Sequence, residues 1–134
     1  MLLPMTRSPT IAIVDDDDGV RMSLSSLVRS LGHDVRVYRS APDFLADAAS
    51  PDPDCLITDV QMFPMTGDQL QAALLAAGRR FPMIFMTAFP TQAMRRRVMG
   101  AGACAYLDKP VEADVIARCL DVALSGRGRP SDES

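Results

Sequence analysis

Four places in this 134-residue chain carry side chains able to handle phosphate or a hard cation, each at or just past the end of a short apolar run. Cys55-Leu56-Ile57-Thr58 runs into Asp59, Ile11-Ala12-Ile13-Val14 into Asp15 and Asp16, and Met83-Ile84-Phe85-Met86 into Thr87. Tyr106-Leu107 leads to Lys109 and Pro110. Apolar runs of this length read as buried strands, and if they lie parallel their carboxyl ends open on one crevice. Carboxylates, a hydroxyl and an ammonium would meet there, a set suited to phosphoryl transfer on magnesium. Asp59 is the expected nucleophile, a carboxylate oxygen that accepts a phosphoryl group and becomes an acyl phosphate. Mg2+ takes hard oxygens and keeps some waters, so one or two carboxylates, a backbone carbonyl and a phosphoryl oxygen suffice to hold it. Lys109 can neutralise a second phosphoryl oxygen and Thr87 can hydrogen-bond a third.

Each feature also has a plainer reading. Four consecutive aspartates, Asp15 to Asp18, are ordinarily a solvated turn or a helix cap, because clustered like charges prefer water. Here they follow a buried strand, which presses the first two carboxylates together, and a bound cation relieves that repulsion. An EF-hand does not fit: with Gly19 as the loop glycine, Val14 falls at the first ligand position and Ser25 at the bidentate one. Singly, Asp59 could cap a helix, and Thr87 or Lys109 could be structural. Their order along one series of strands favours the joint site.

The intervening sequence supplies the helices such strands require. Val20, Leu24, Leu27, Val28 and Leu31 recur at helical spacing before Gly32, and Val35 and Val37 alternate with polar partners as a half-buried strand. Ser40 can cap a short helix with Pro42 in its first turn and Phe44, Leu45 and Ala48 on its apolar side. A third helix is expected over Gly67–Ala77, a fourth from Thr91 with Met94, Val98 and Ala101 inward, and a fifth over Glu112–Leu124. The alternation is β-α five times, which right-handed crossovers turn into a doubly wound parallel sheet covered on both faces. In the order 2-1-3-4-5 the switch point falls between strands one and three, making Asp15, Asp16 and Asp59 neighbours. The folded unit is expected over residues 11–124, with a flexible lead at 1–10 and a flexible tail or linker at 125–134.

At this length one domain is expected, and a formal charge of -3 argues against a protein that coats nucleic acid. Cys55, Cys104 and Cys119 are odd in number and lie in apolar elements, as reduced core residues of a cytoplasmic protein would. Neither a membrane-spanning run nor a secretory signal is expected. His33, the only histidine, sits in a turn and reads as a surface or packing residue. Arg95-Arg96-Arg97 reads as a solvated helix face, since consecutive helical residues point different ways.

With these motifs in place the chain resembles the receiver domain of two-component response regulators, nearest the FixJ-like branch, a flavodoxin-like (βα)5 fold. The matching stretches are Ile13-Val14-Asp15-Asp16-Asp17, Ile57-Thr58-Asp59-Val60-Gln61-Met62, Met86-Thr87-Ala88 and Ala105-Tyr106-Leu107-Asp108-Lys109-Pro110, at the family's separations. The resemblance implies that Asp59 takes phosphate from the phosphohistidine of a sensor histidine kinase or phosphotransfer protein. It implies Mg2+ held by Asp15, Asp16, Asp59 and the backbone carbonyl of Gln61, with Thr87, Ala88 and Lys109 around the phosphoryl group. On phosphorylation Thr87 would move toward that group and the ring of Tyr106 would turn inward. The face of the fourth helix, fifth strand and fifth helix would then change its preference for a protein partner or a second copy. No turnover activity and no direct nucleic-acid contact are implied, and Lys109-Pro110 is expected to be cis.

Two departures stand out. The proline usual one position after Met62 comes one later, as Pro64, while the spacing to Gly67 is kept, so a reshaped loop is expected. Phe89-Pro90 replaces small flexible residues, and Phe63 and Phe89 are candidates to shield the acyl phosphate or restrain the loop. Among rivals, Asp16-Asp17-Asp18-Gly19-Val20 resembles the opening of haloacid-dehalogenase phosphatases, but the further acidic motif that family needs after its lysine has no room here. The remaining rivals are a receiver cut from a DNA-binding regulator and a pseudo-receiver that works without phosphorylation.

Overall fold

The computed structural model describes residues 8–126. Five strands, β1 (Thr10–Val14), β2 (Asp34–Tyr38), β3 (Cys55–Asp59), β4 (Met83–Thr87) and β5 (Ala105–Asp108), form one parallel sheet in the order 2-1-3-4-5. Between and after them run α1 (Asp18–Ser30), α2 (Ala41–Ala46), α3 (Gly67–Ala76), α4 (Gln92–Gly100) and α5 (Ala113–Gly126). The expected topology is observed. β1 begins one residue early because Thr10 pairs with Asp34 and exchanges hydrogen bonds with Asp54. α5 takes in Ser125 and Gly126, so of the expected lead and tail, residues 1–7 and 127–134 lie outside the described residues.

The register follows from side-chain alternation on strands buried on both faces. Ala12, Val14, Leu56, Phe85 and Tyr106 face α2, α3 and α4, where Phe44, Leu70, Leu74 and Val98 complete one apolar cluster. Ile11, Ile13, Ile57, Ile84 and Met86 face α1 and α5, meeting Leu24, Val28, Ile116 and Leu120. β2 is an edge strand, which is why Val37 remains 47% exposed despite the alternation around it. All three cysteines are free, and burial pushes their thiols up, away from the reactive thiolate.

Helix starts match their caps. Ser40 and Thr91 accept from the backbone N–H three residues on, and Thr66 with Gln69 forms a capping box ahead of α3. Two cross-links tie α3 to α4: Gln71 donates to the Val98 carbonyl at 3.0 Å, and Arg97 pairs with Asp68 at 3.2 Å.

Candidate functional site

The run of four aspartates divides its work at the end of β1. Asp15 is fully buried and accepts the Asp17 backbone N–H at 2.9 Å, turning the chain out of the strand. Asp17 is the N-cap of α1, accepting from the Val20 N–H at 2.9 Å, and Asp18 pairs with Arg21 in the helix's first turn. Asp16 is left without a capping duty and exposed on the crevice side. Arg21 also donates to the Asp15 carbonyl at 2.7 Å, pinning the turn from the helix.

Asp59, at the end of β3, is 5% exposed. Its neighbours follow from the register: Val14 pairs with Thr58, so the residues leaving β1 lie beside it. One carboxylate oxygen each from Asp15, Asp16 and Asp59 lie within 4.8 Å of one another. Lys109 reaches in from the end of β5, 3.0 Å from Asp15 and 3.4 Å from Asp59 Oδ1. That Asp59 oxygen is buried and makes no well-formed hydrogen bond, the lysine lying at the outer limit of one. Burial, then the Asp15 charge, hold the Asp59 carboxyl up to about 6, with Lys109 pulling the other way. Burial works against the Lys109 ammonium, but the two carboxylates outweigh it and its pKa is raised. Three clustered carboxylates, those of Asp15 and Asp59 buried, fit a hard divalent cation such as Mg2+.

The loop after β3 is fixed at both ends. Val60 N–H donates to the Met86 carbonyl at 3.0 Å, extending the ladder past Asp59, and Gly67 N–H donates to the Val60 carbonyl at 2.9 Å. Gly67 lies so close that a Cβ there would sit 2.4 Å from the Asp59 carbonyl oxygen. Between these points Met62 turns into the core, and the Phe63-Pro64 bond is cis. Lys109-Pro110 is cis as expected. Phe63 and Phe89 are 85% and 71% exposed, neither ring packed into the core, while Met62 between Gln61 and Phe63 takes the inward place.

Thr87 ends β4, fully buried, and Ala88 beside it lines an apolar cleft of about 780 Å3 between α1 and α5. Tyr106 is 6% exposed, its ring already inward and its hydroxyl accepting the Thr91 backbone N–H at 3.0 Å. Arg95 stands 5.9 Å over that ring, while Arg97 pairs with Asp68, so the arginine triplet is no single patch. Sequence reasoning missed two contributors, Arg21 and the Gln61 side chain. The sequence singles out Gln61 for its carbonyl alone, yet its Oε1 accepts the Thr87 hydroxyl at 2.5 Å.

The model of the response regulator receiver domain matches residues 11–121, which include every one of these groups. The chain belongs to this family. Among relatives, the receiver is 36% identical over 116 residues to the transcriptional regulatory protein TdiR of Thauera aromatica, covering 87% of this chain and 51% of that one. It is 33% identical over 131 residues to the transcriptional regulatory protein FixJ of Azorhizobium caulinodans, covering 96% and 62%. Its fold superposes on the solved FixJ-N structure with a TM-score of 0.80 at 32% identity, over 90% of this chain and 96% of that one. The response regulator StyR matches with a TM-score of 0.81 at 36% identity, over 89% and 60%. The receiver thus spans about half the length of the first curated relatives it matches.

Proposed function

We propose that Asp59 is the phosphoacceptor of this receiver, taking a phosphoryl group from the phosphohistidine of a sensor kinase or phosphotransfer protein. The observation that carries the reading is the buried Asp59 carboxylate, one oxygen of which groups with Asp15 and Asp16 within 4.8 Å while its Oδ1 lies 3.4 Å from Lys109. An Asp59 carboxylate oxygen forms the new P–O bond as the donor's N–P bond breaks, and the histidine nitrogen keeps the electron pair and takes up a proton. Asp15, Asp16, Asp59 and the Gln61 carbonyl would hold Mg2+, which supplies charge stabilisation for the transferring phosphoryl group. Lys109 stabilises one phosphoryl oxygen, and Thr87, with the small Ala88 leaving room beside it, hydrogen-bonds another. This is one acceptance event per chain rather than turnover, and it is read out through the α4-β5-α5 face around Tyr106.

Two relatives are named transcriptional regulatory proteins and extend well beyond the matched stretch, which favours an output at a promoter through an attached domain rather than nucleic-acid contact by the receiver itself. Three free thiols, and no helix among the described residues long and apolar enough to cross a membrane, support a cytoplasmic site of action. Intact-mass analysis after incubation with acetyl phosphate and magnesium tests the reading. A single phosphoryl adduct in wild type, absent without magnesium and absent in Asp59→Asn, is expected; an adduct that persists in Asp59→Asn would overturn it, and no adduct in wild type would favour the phosphorylation-independent pseudo-receiver.

A further inference from the structure

We infer that the Gln61 side chain is a latch on Thr87, holding its hydroxyl proton until a phosphoryl oxygen competes for it. The inference rests on the reading of Asp59 as phosphoacceptor.

Thr87 has too few protons for both partners. Its Oγ1 donates to Gln61 Oε1 at 2.5 Å and accepts the Phe89 backbone N–H at 3.0 Å. A hydroxyl has one proton to give. A phosphoryl oxygen is an acceptor, so Thr87 can serve it only by withdrawing that proton from Gln61. The two acceptors are therefore direct competitors for one group, and occupancy of Asp59 decides which holds it.

The latch is also well anchored. Gln61 is exposed, and a free surface amide would be a weak restraint. Here the preceding residue is tied on both sides, Val60 N–H to Met86 and the Val60 carbonyl to Gly67, directly alongside the strand that ends in Thr87. Thr87 is fully buried, so Gln61 stands in for the water an exposed hydroxyl would have. Tyr106 is restrained separately: its ring is inward, its hydroxyl accepts the Thr91 N–H and Arg95 lies over it. Gln61 then sets how readily the threonine leaves.

Two measurements on the full chain test this, with Gln61→Met, which keeps length and loses the acceptor, and Gln61→Glu, which keeps an acceptor. The first is the Thr87 side-chain coupling by NMR without ligand, which reports whether one rotamer is held. Gln61→Met is expected to average it and Gln61→Glu to leave it as in wild type. The second is beryllofluoride titration in magnesium, where Gln61→Met should half-saturate at about fivefold lower concentration, the worth of one neutral hydrogen bond. A Gln61→Met receiver whose Thr87 coupling is unchanged, or whose half-saturation stays within about twofold of wild type, overturns the latch. Wild type that binds no beryllofluoride while the coupling responds as expected overturns instead the phosphoacceptor reading, and with it any role for the latch.

Discussion

Magnesium affinity should fall as the pH is lowered through about 6, because a proton and the cation compete for Asp59. The cause is local: burial first and the Asp15 charge second disfavour the Asp59 carboxylate, and Lys109 only partly offsets them. With its pKa at about 6, Asp59 is about nine-tenths ionised near pH ~7 and about one-tenth near pH ~5. Apparent affinity should therefore drop about tenfold across that interval. An ordinary aspartate, at about 3.9, would lose less than a tenth of its charge over the same range. Calorimetric titration with magnesium at constant ionic strength measures the profile, and Asp59→Asn should flatten it. Affinity that is level from mildly acidic to neutral pH in wild type would refute the reasoning. Stability without magnesium carries the matching sign. A carboxyl raised by folding favours the folded state most when protonated, below its unfolded value. That contribution is lost as pH rises through about 6.

Lys109→Met removes the cation that opposes burial at Asp59, so the carboxyl-carbon titration of Asp59 by NMR should move upward, by at least about one pH unit given the worth of a close ion pair; a downward or absent change would contradict the assignment. Gly67→Ala should lower the melting temperature by roughly 5–10 °C, from about 1–3 kcal/mol of overpacking, because the new Cβ meets the Asp59 backbone rather than a side chain that can swing away. Since the atom displaced belongs to the acceptor residue, beryllofluoride binding should weaken with it; a variant that melts and binds like wild type would show that the loop yields freely.

The strands and the carboxylates at their ends were legible because they depend on local pattern: β1, β3 and β4 contain runs of four largely apolar residues stopped by an aspartate or threonine, which constrains both burial and direction. Asp15, Asp16, Asp59 and Lys109 converge for that reason, through register alone. What escaped depends on partners far apart in sequence. Nothing near Gln71 announces that its amide will be buried against the Val98 carbonyl, and nothing near Gln61 announces a bond to Thr87, 26 residues on. Arg21 was closer to readable, since Asp18 three residues earlier is its helical partner, but its hold on the Asp15 carbonyl needs the turn itself. The outward turn of Phe63 follows from the inward turn of Met62, a choice between two apolar neighbours that composition does not make.

The sheet divides the interior into two chambers that share a wall of backbone and exchange no side chains. Tyr106, Val98 and the α3–α4 cross-links all belong to one chamber, while α1 and α5 seal the other. A rearrangement around Tyr106 can therefore be absorbed by the first chamber while the second keeps its packing. The two sides thus pack separately, and a substitution beside Tyr106 is expected to leave the packing of Ile11, Ile13, Ile57 and Ile84 against α1 and α5 unchanged.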